Sequence, residues 1–331
     1  MSDKSGMASL SPGSRLLLTR IPLGLMTLLL ASVVVFTATQ VLPGDAARAV
    51  LGRTATPESL AALRAQLNLD SPSSVQYLLW LRGIVTADPG TSLVNGLPVW
   101  SSIAPRIANS LALMLITAAI SVSLAIVFGV VAAVRRGWVD ATLSASALAI
   151  SAIPPFVLGM IMIILFATTV FRWLPAVSYL RPGVSIWSTP SAIVLPVATL
   201  ALVVFPYVFR MTRTSLIEVL SSDYIEMARL KGVSMRRIIF RHALPNALAP
   251  VAQVIALTLA YLVGGVVAVE YVFGFPGMGQ GLVDAINARD IPTIQFIVLA
   301  LATFYVAVNI LADYIALMLT PRLRTTGRQA A

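Results

Sequence analysis

Apolar residues run through this chain in six long stretches that carry no charge. Between Arg20 and Asp45 lie 24 uncharged residues, and Arg106 to Arg135, Asp140 to Arg172 and Arg181 to Arg210 enclose 28, 31 and 28. Arg241 to Glu270 encloses 28, with its polar residues first, and Asp290 to Asp313 encloses 22 before the apolar run resumes to Leu319. A helix that crosses a bilayer needs about 20 apolar residues. In hydrocarbon every backbone N–H and C=O must be bonded within its own segment, so the pattern predicts six transmembrane helices rather than strands. Lys4, Arg15 and Arg20 precede the first stretch, and the small residues Thr37, Ala38 and Thr39 follow its core, as in a secretory signal. Residues 21–36 already make 16, however, and the apolar character continues to Leu42. A signal core is about 7–15 residues, so this stretch is expected to stay as an uncleaved anchor.

The polar intervals are uneven, and two of them have structure of their own. Residues 43–106 are long enough for a small external domain. Thr56-Pro57-Glu58 is a helix start, with a capping hydroxyl, a first-position proline and an acid in the first turn. Leu60, Leu63 and Leu67 follow at helical spacing, and Ser71-Pro72 opens a second helix bearing Val75, Leu78 and Leu79 beside Tyr77 and Trp80. Such helices either cap the bundle or meet an external carrier protein. Within the spans, Ser151-Ala-Ile-Pro154-Pro155 and Gly159 in the third, and Pro190, Pro196 and Pro206 around the fourth, predict bends. Bent helices line substrate paths. Small residues such as Gly129, Ala132, Ser144 and Ser146 also serve close packing in any bundle, and the pattern does not separate the two roles.

Composition fits lipid as the main solvent: 58% of the 331 residues are hydrophobic and 11% charged, with a mean hydropathy of +0.90, against about 25% charged in soluble domains. With no cysteine and one histidine, His242, disulfides, thiolate chemistry and two-histidine metal sites are excluded. If the amino terminus is cytoplasmic, Lys and Arg fall 15 inside and 8 outside, five of the eight in the long 43–106 loop. The net charge of +10 is then mostly a topology signal. The basic residues are scattered over short loops rather than gathered in a stripe, which speaks against nucleic acid as a partner. No Gly-Lys-Ser/Thr ending occurs, so no phosphate loop and no bound cofactor are expected. The glycines from Gly274 to Gly281 make a turn that plugs the external mouth, with Phe273, Gly274, Pro276, Gly277, Met278 and Gly279 as its candidate gate. Asp313 lies inside the last span. It is a functional candidate, or it reaches the interface or pairs with a loop arginine.

The loop between the fourth and fifth spans carries the most chemistry. Asp223 and Glu226 stand at capping-box spacing, which predicts a two-turn helix from Tyr224 to Lys231. Gly232 can take the left-handed turn that ends it, and Ser234 can cap a second short helix. Tyr224, Met227 and Ala228 share a face. Two turns do not persist alone in water, so the helix needs the bundle on one side and a partner on the other. Anionic membrane lipid held by the basic residues is the other reading.

Glu226, Ala228, Gly232, Leu244 and Pro245 stand at the spacing of the Glu-Ala-Ala loop of permeases of ATP-binding-cassette importers. Met227 replaces the first Ala, and His242 stands where the pattern has Ile. His242-Ala-Leu-Pro-Asn246, Leu42-Pro-Gly-Asp45, Asp88-Pro-Gly-Thr-Ser-Leu93, Glu270-Tyr-Val-Phe-Gly-Phe-Pro-Gly-Met-Gly279 and Ala288-Arg-Asp290 resemble the dipeptide, oligopeptide and nickel branch of binding-protein-dependent inner membrane components. The likeness extends over nearly the whole chain from residue 15.

The resemblance implies an all-α, six-helix, type I importer-like permease bundle in a bacterial inner membrane. Its parts would be a cytoplasmic 1–20, a first span 21–42, an external 43–106, a core 107–319 with a coupling loop 210–246, and a cytoplasmic tail 320–331. It also implies a related second permease, two cytoplasmic ATPase subunits docked at Asp223, Tyr224, Glu226, Met227, Ala228, Gly232, Leu244 and Pro245, and an external substrate-binding protein. Peptide, nickel and glutathione systems share the pattern. An ion-driven secondary transporter would call for buried acids near mid-membrane, and only Asp313 comes close. An intramembrane enzyme would call for clustered His, Asp or Ser/Lys groups, which the spans lack.

Overall fold

The computed structural model describes residues 12–41, 56–66, 70–178 and 186–319. Leu42-Pro-Gly-Asp45, Leu67 and the tail 320–331 lie outside the described residues. The elements are helices: α1 (Pro12–Val41), α2 (Pro57–Gln66), α3 (Ser73–Val85), α4 (Val99–Arg135), α5 (Gly137–Ser151) and α6 (Pro155–Ile163). Then come α7 (Ser191–Leu220), α8 (Asp223–Leu230), α9 (Met235–Phe273), α10 (Met278–Ala288) and α11 (Ile291–Leu319). No strand forms among the described residues, where an isolated bridge pairs Thr91 with Pro98.

Five helices are long and apolar enough to span, and α5 with α6 makes a sixth as one bent span. The sequence predicts a kink at Pro154-Pro155, and the observed bend is 106°. Its cause is a true helix end: the amides of Ala152 and Ile153 bond back to Ala149 and Ile150, and Pro155 brings no N–H to continue the ladder. The bent pair still runs from one end of the bundle to the other. Asp140 on α5 pairs with Arg213 near the α8 end of α7, whereas Gly159 on α6 packs on Phe273 at the far end of α9.

Other boundaries move. α1 begins at Pro12, ahead of residue 21, with Pro22 inside it. α4 begins at Val99 rather than after Arg106, because Val99 and Ile103 are buried against Met278 and Ile297. Thr56 caps α2 as the sequence predicts: its Oγ1 accepts from the amide of Ser59, 3.2 Å away.

The core lies among α4, α7 and α9, where Leu113, Leu200, Phe209, Leu262 and Phe273 are fully buried. α4 and α7 approach closely at Gly129, where a Cβ would meet Thr212 and the carbonyl of Phe209. The outer faces expose large apolar side chains, among them Leu25, Leu30, Leu115 and Leu257, as lipid contact requires. α1 packs along α11. There Arg20 pairs with Asp313 at 2.9 Å, so the acid inside the last span has an arginine partner, supplied by the first helix and not by a loop.

α9 positions everything that follows. Its 39 residues rise about 58 Å, well beyond a hydrocarbon core of about 30 Å. One end adjoins α8, and the other carries the Gly274 turn. The second short helix predicted after Ser234 is thus the first turns of the fifth span, with a π-helical segment at Ile238–Ala243.

Candidate functional site

At the loop end, α8 sits on one anchor. Ile225 is fully buried with Leu216, Leu220, Ile238, Ala243 and Ala247, and Ala228 and Val233 pack against the same cluster. The capping box does not form. Ser222 is the N-cap, with extended backbone (φ −80°, ψ 149°) and no side-chain cap bond. Its carbonyl accepts from the amides of Ile225 and Glu226. Asp223 is therefore the first helical residue and Glu226 the fourth, one position past where a box closes. Both acids still lie in the first turn, where the helix dipole favours negative charge.

The other end of α8 behaves as predicted. Gly232 has φ +74°. Its amide donates to Arg229 O at 2.9 Å, and that of Val233 to Ala228 O at 3.1 Å. These are the two bonds of a Schellman turn. A Cβ at Gly232 would meet nothing within 4 Å, so the glycine answers a backbone need and not a crowded one. The amide nitrogen of Asn246 donates to the hydroxyl of Tyr224 at 3.1 Å, which ties α8 to the Leu244-Pro245 turn of α9. The fold thus brings Asp223, Tyr224, Glu226, Met227, Ala228, Gly232, Leu244 and Pro245 to one surface. Its exposed apolar side chains are Tyr224, Met227 (54% exposed), Leu230 (76%), Met235 and Phe240 (60%), and the acids Asp223 and Glu226 are exposed beside them. Around them stand Arg229, Lys231, Arg236, Arg237 and Arg241, all exposed.

The opposite end of α9 is built the other way. Gly274 ends α9 in the left-handed region at φ +58°, and Phe275 turns its amide back to Glu270 O at 2.8 Å. Phe273, Phe275, Gly277, Met278 and Gly279 are buried, and Gly274 and Pro276 partly so. Asn109 holds Pro276 O at 2.9 Å, and Arg106 reaches Asp284 at 3.2 Å. The amide of Ser178 donates to Phe273 O at 2.7 Å. The gate candidates therefore form a packed turn wedged between α4, α9 and α10. Met278 is 2% exposed, so it is no open lip of the mouth. The predicted motifs also meet here: Asp290 accepts from Ser92 Oγ (2.5 Å), Leu93 N (3.0 Å) and Thr293 Oγ1 (2.8 Å), joining Asp88–Leu93 to the start of α11.

The sequence is similar to that of known proteins. It matches the family described as binding-protein-dependent transport system inner membrane component over residues 125–325, and the N-terminal membrane component of such systems over residues 14–114. The chain belongs to this family. A protein of Sinorhizobium fredii named as a peptide ABC transporter permease is 36% identical over 311 residues, 93% of this chain and 98% of its own length. The glutathione transport system permease protein GsiC of Salmonella choleraesuis is 36% identical over 304 residues, 91% and 96% of the two chains. A solved inward-facing structure of the MetNI methionine ABC transporter aligns with a TM-score of 0.54 at 20% identity, covering 66% of this chain and 96% of that one. At that identity the likeness speaks for the fold alone.

The protein is thus a multi-pass permease subunit of a bacterial ABC importer, a transport subunit rather than an enzyme. Systems of this family combine such permeases with ATPase subunits and a binding protein. Sequence reasoning about this importer permease missed two groups. Glu270 entered as the end of a charge-free run and the first residue of a resembling stretch, with no role of its own, yet it is fully buried. Asp140 entered as the border of a charge-free run and Arg213 not at all, yet they pair across α5 and α7. The signal for Glu270 was available: Gly277 and Gly279 stand seven and nine residues on, and a Cβ at Gly277 would strike its carboxylate.

Proposed function

We propose that this permease forms half of a translocation pathway for dipeptides or oligopeptides, with a related second permease as the other half. Two cytoplasmic ATPase subunits dock on the surface at 223–245, and an external binding protein delivers substrate to the opposite side. The excess of Lys and Arg in the loops on the α8 side supports an inner membrane orientation with both termini and residues 210–246 cytoplasmic, and 43–106 external. The relatives named for peptide and glutathione transport support a peptide as cargo; nickel or another small solute is the alternative that uptake competition would reveal.

One observation carries the docking reading. An eight-residue helix buries only Ile225 fully and leaves Tyr224, Met227 and Leu230 exposed beside the first turns of a membrane-spanning helix. Exposed apolar groups on a short anchored helix fit a groove in a partner. ATP-driven closure of the ATPases would push on this surface, and α9 would carry the push across the membrane.

The test is co-purification of the ATPases with two variants. Gly232→Val forces a β-branched residue to φ +74°, a strain of about 1–2 kcal/mol. Glu226→Lys reverses charge in the first turn of α8. Both are expected to insert in the membrane normally and to lose ATPase association and substrate-stimulated hydrolysis. Normal coupling in both would refute the docking role, and tighter lipid binding by Glu226→Lys would favour a lipid-holding loop.

A further inference from the structure

Glu270 is 0% exposed near the end of a spanning helix, and no salt bridge reaches it among the described residues. A buried carboxylate persists only where donors replace its water. The donors are specific. Ser110 Oγ on α4 donates to Oε1 at 2.6 Å, and the amide of Gly279 donates to Oε2 at 2.6 Å. Ser110 Oγ in turn accepts from the amide of Met278 at 2.8 Å.

These two amides belong to the first two residues of α10, whose N-cap is Gly277. The opening amides of a helix lack partners within it, and a glycine N-cap has no side chain to supply one. Here α9 supplies it. Glu270 and Ser110 together satisfy Met278 and Gly279, and the amide of Gly281 begins the internal ladder on Gly277 O at 3.0 Å. The glycines make room for this arrangement. A Cβ at Gly277 would overlap the carboxylate, and one at Gly279 would lie 2.5 Å from Val267 Cα.

We propose that Glu270 is a positioning residue that caps α10 from another helix, fastening the mouth to α9 so that motion at the docking end of α9 moves α10 with it. This rests on the docking reading above. Without the carboxylate, α9 could shift while α10 stayed behind.

The chain has no cysteine, so Ile286→Cys, at a position 46% exposed on α10, places the one thiol of this subunit at the mouth. In the assembled transporter, its labelling by an impermeant maleimide is measured without nucleotide and with ATP and vanadate. On an otherwise wild-type background the two rates should differ by about five-fold or more. Glu270→Ala and Ser110→Ala should each collapse that difference while ATPase association and basal hydrolysis persist, and Glu270→Gln, which keeps an acceptor for Gly279, should retain part of it. Ser110→Ala removes a single oxygen and serves even if Glu270→Ala fails to assemble. Labelling that does not respond to nucleotide in the wild-type background, or a full response in both Ser110→Ala and Glu270→Ala, overturns the proposal. Failure of the docking reading would show separately, as ATPase retention by Gly232→Val.

Discussion

The two ends of α9 solve opposite problems with similar materials. Both use a glycine in the left-handed region, Gly232 at one end and Gly274 at the other. Around Gly232 there is open space, and Met227, Leu230 and Phe240 are exposed. Around Gly274 the neighbouring phenylalanines are fully buried, and the next helix is capped by its neighbours. On the proposed reading the unfinished end is the one a partner completes, and the end that satisfies its own polar groups is closed.

Three substitutions break this comparison in graded ways. The largest effect belongs to Ile225→Asp. It puts a charge into the cluster of Leu216, Ile238 and Ala247, at a cost of about 3 kcal/mol or more. Ile225 is the one fully buried side chain of α8, so α8 should detach. Proteolysis at Arg229 and Lys231 should quicken, and ATPase association should vanish while the spans stay inserted. Next comes Gly279→Ala, whose methyl would press on the backbone of Val267, at about 1–3 kcal/mol. It should cut transport while leaving ATPase association intact, the reverse dissociation of effects. The smallest structural effect belongs to Met227→Ala, at a position 54% exposed. It should change stability by less than about 0.5 kcal/mol and yet weaken ATPase binding about five-fold or more, as a contact residue would. A titration of ATPase against the detergent-solubilised permease measures that shift.

The spans were legible because lipid imposes a rule that sequence displays directly: no charge for some twenty residues. The end of α8 was legible because a left-handed position has few occupants. The start of α8 was not, since Ser222, Asp223 and Glu226 offer overlapping caps and packing of Ile225 sets the register. The depth of the third bend depends on where α5 stops bonding, which Pro154 and Pro155 indicate without giving the 106° angle. The partnership of Glu270 with Ser110 joins residues 160 apart in sequence. Only the fold supplies it, although the glycines that accommodate it were in plain view.

The central claim is that one end of α9 is built for a partner and the other is closed on itself. Backbone hydrogen exchange tests it, comparing the permeases alone with the permease–ATPase assembly in the absence of binding protein and nucleotide. The amides of Ile225 to Gly232 should exchange quickly in the permeases alone and slow by about ten-fold or more on assembly, whereas those of Met278 to Gly281 should be slow in both. Equal exchange of α8 in the two states, or slowing confined to α10, would contradict the account.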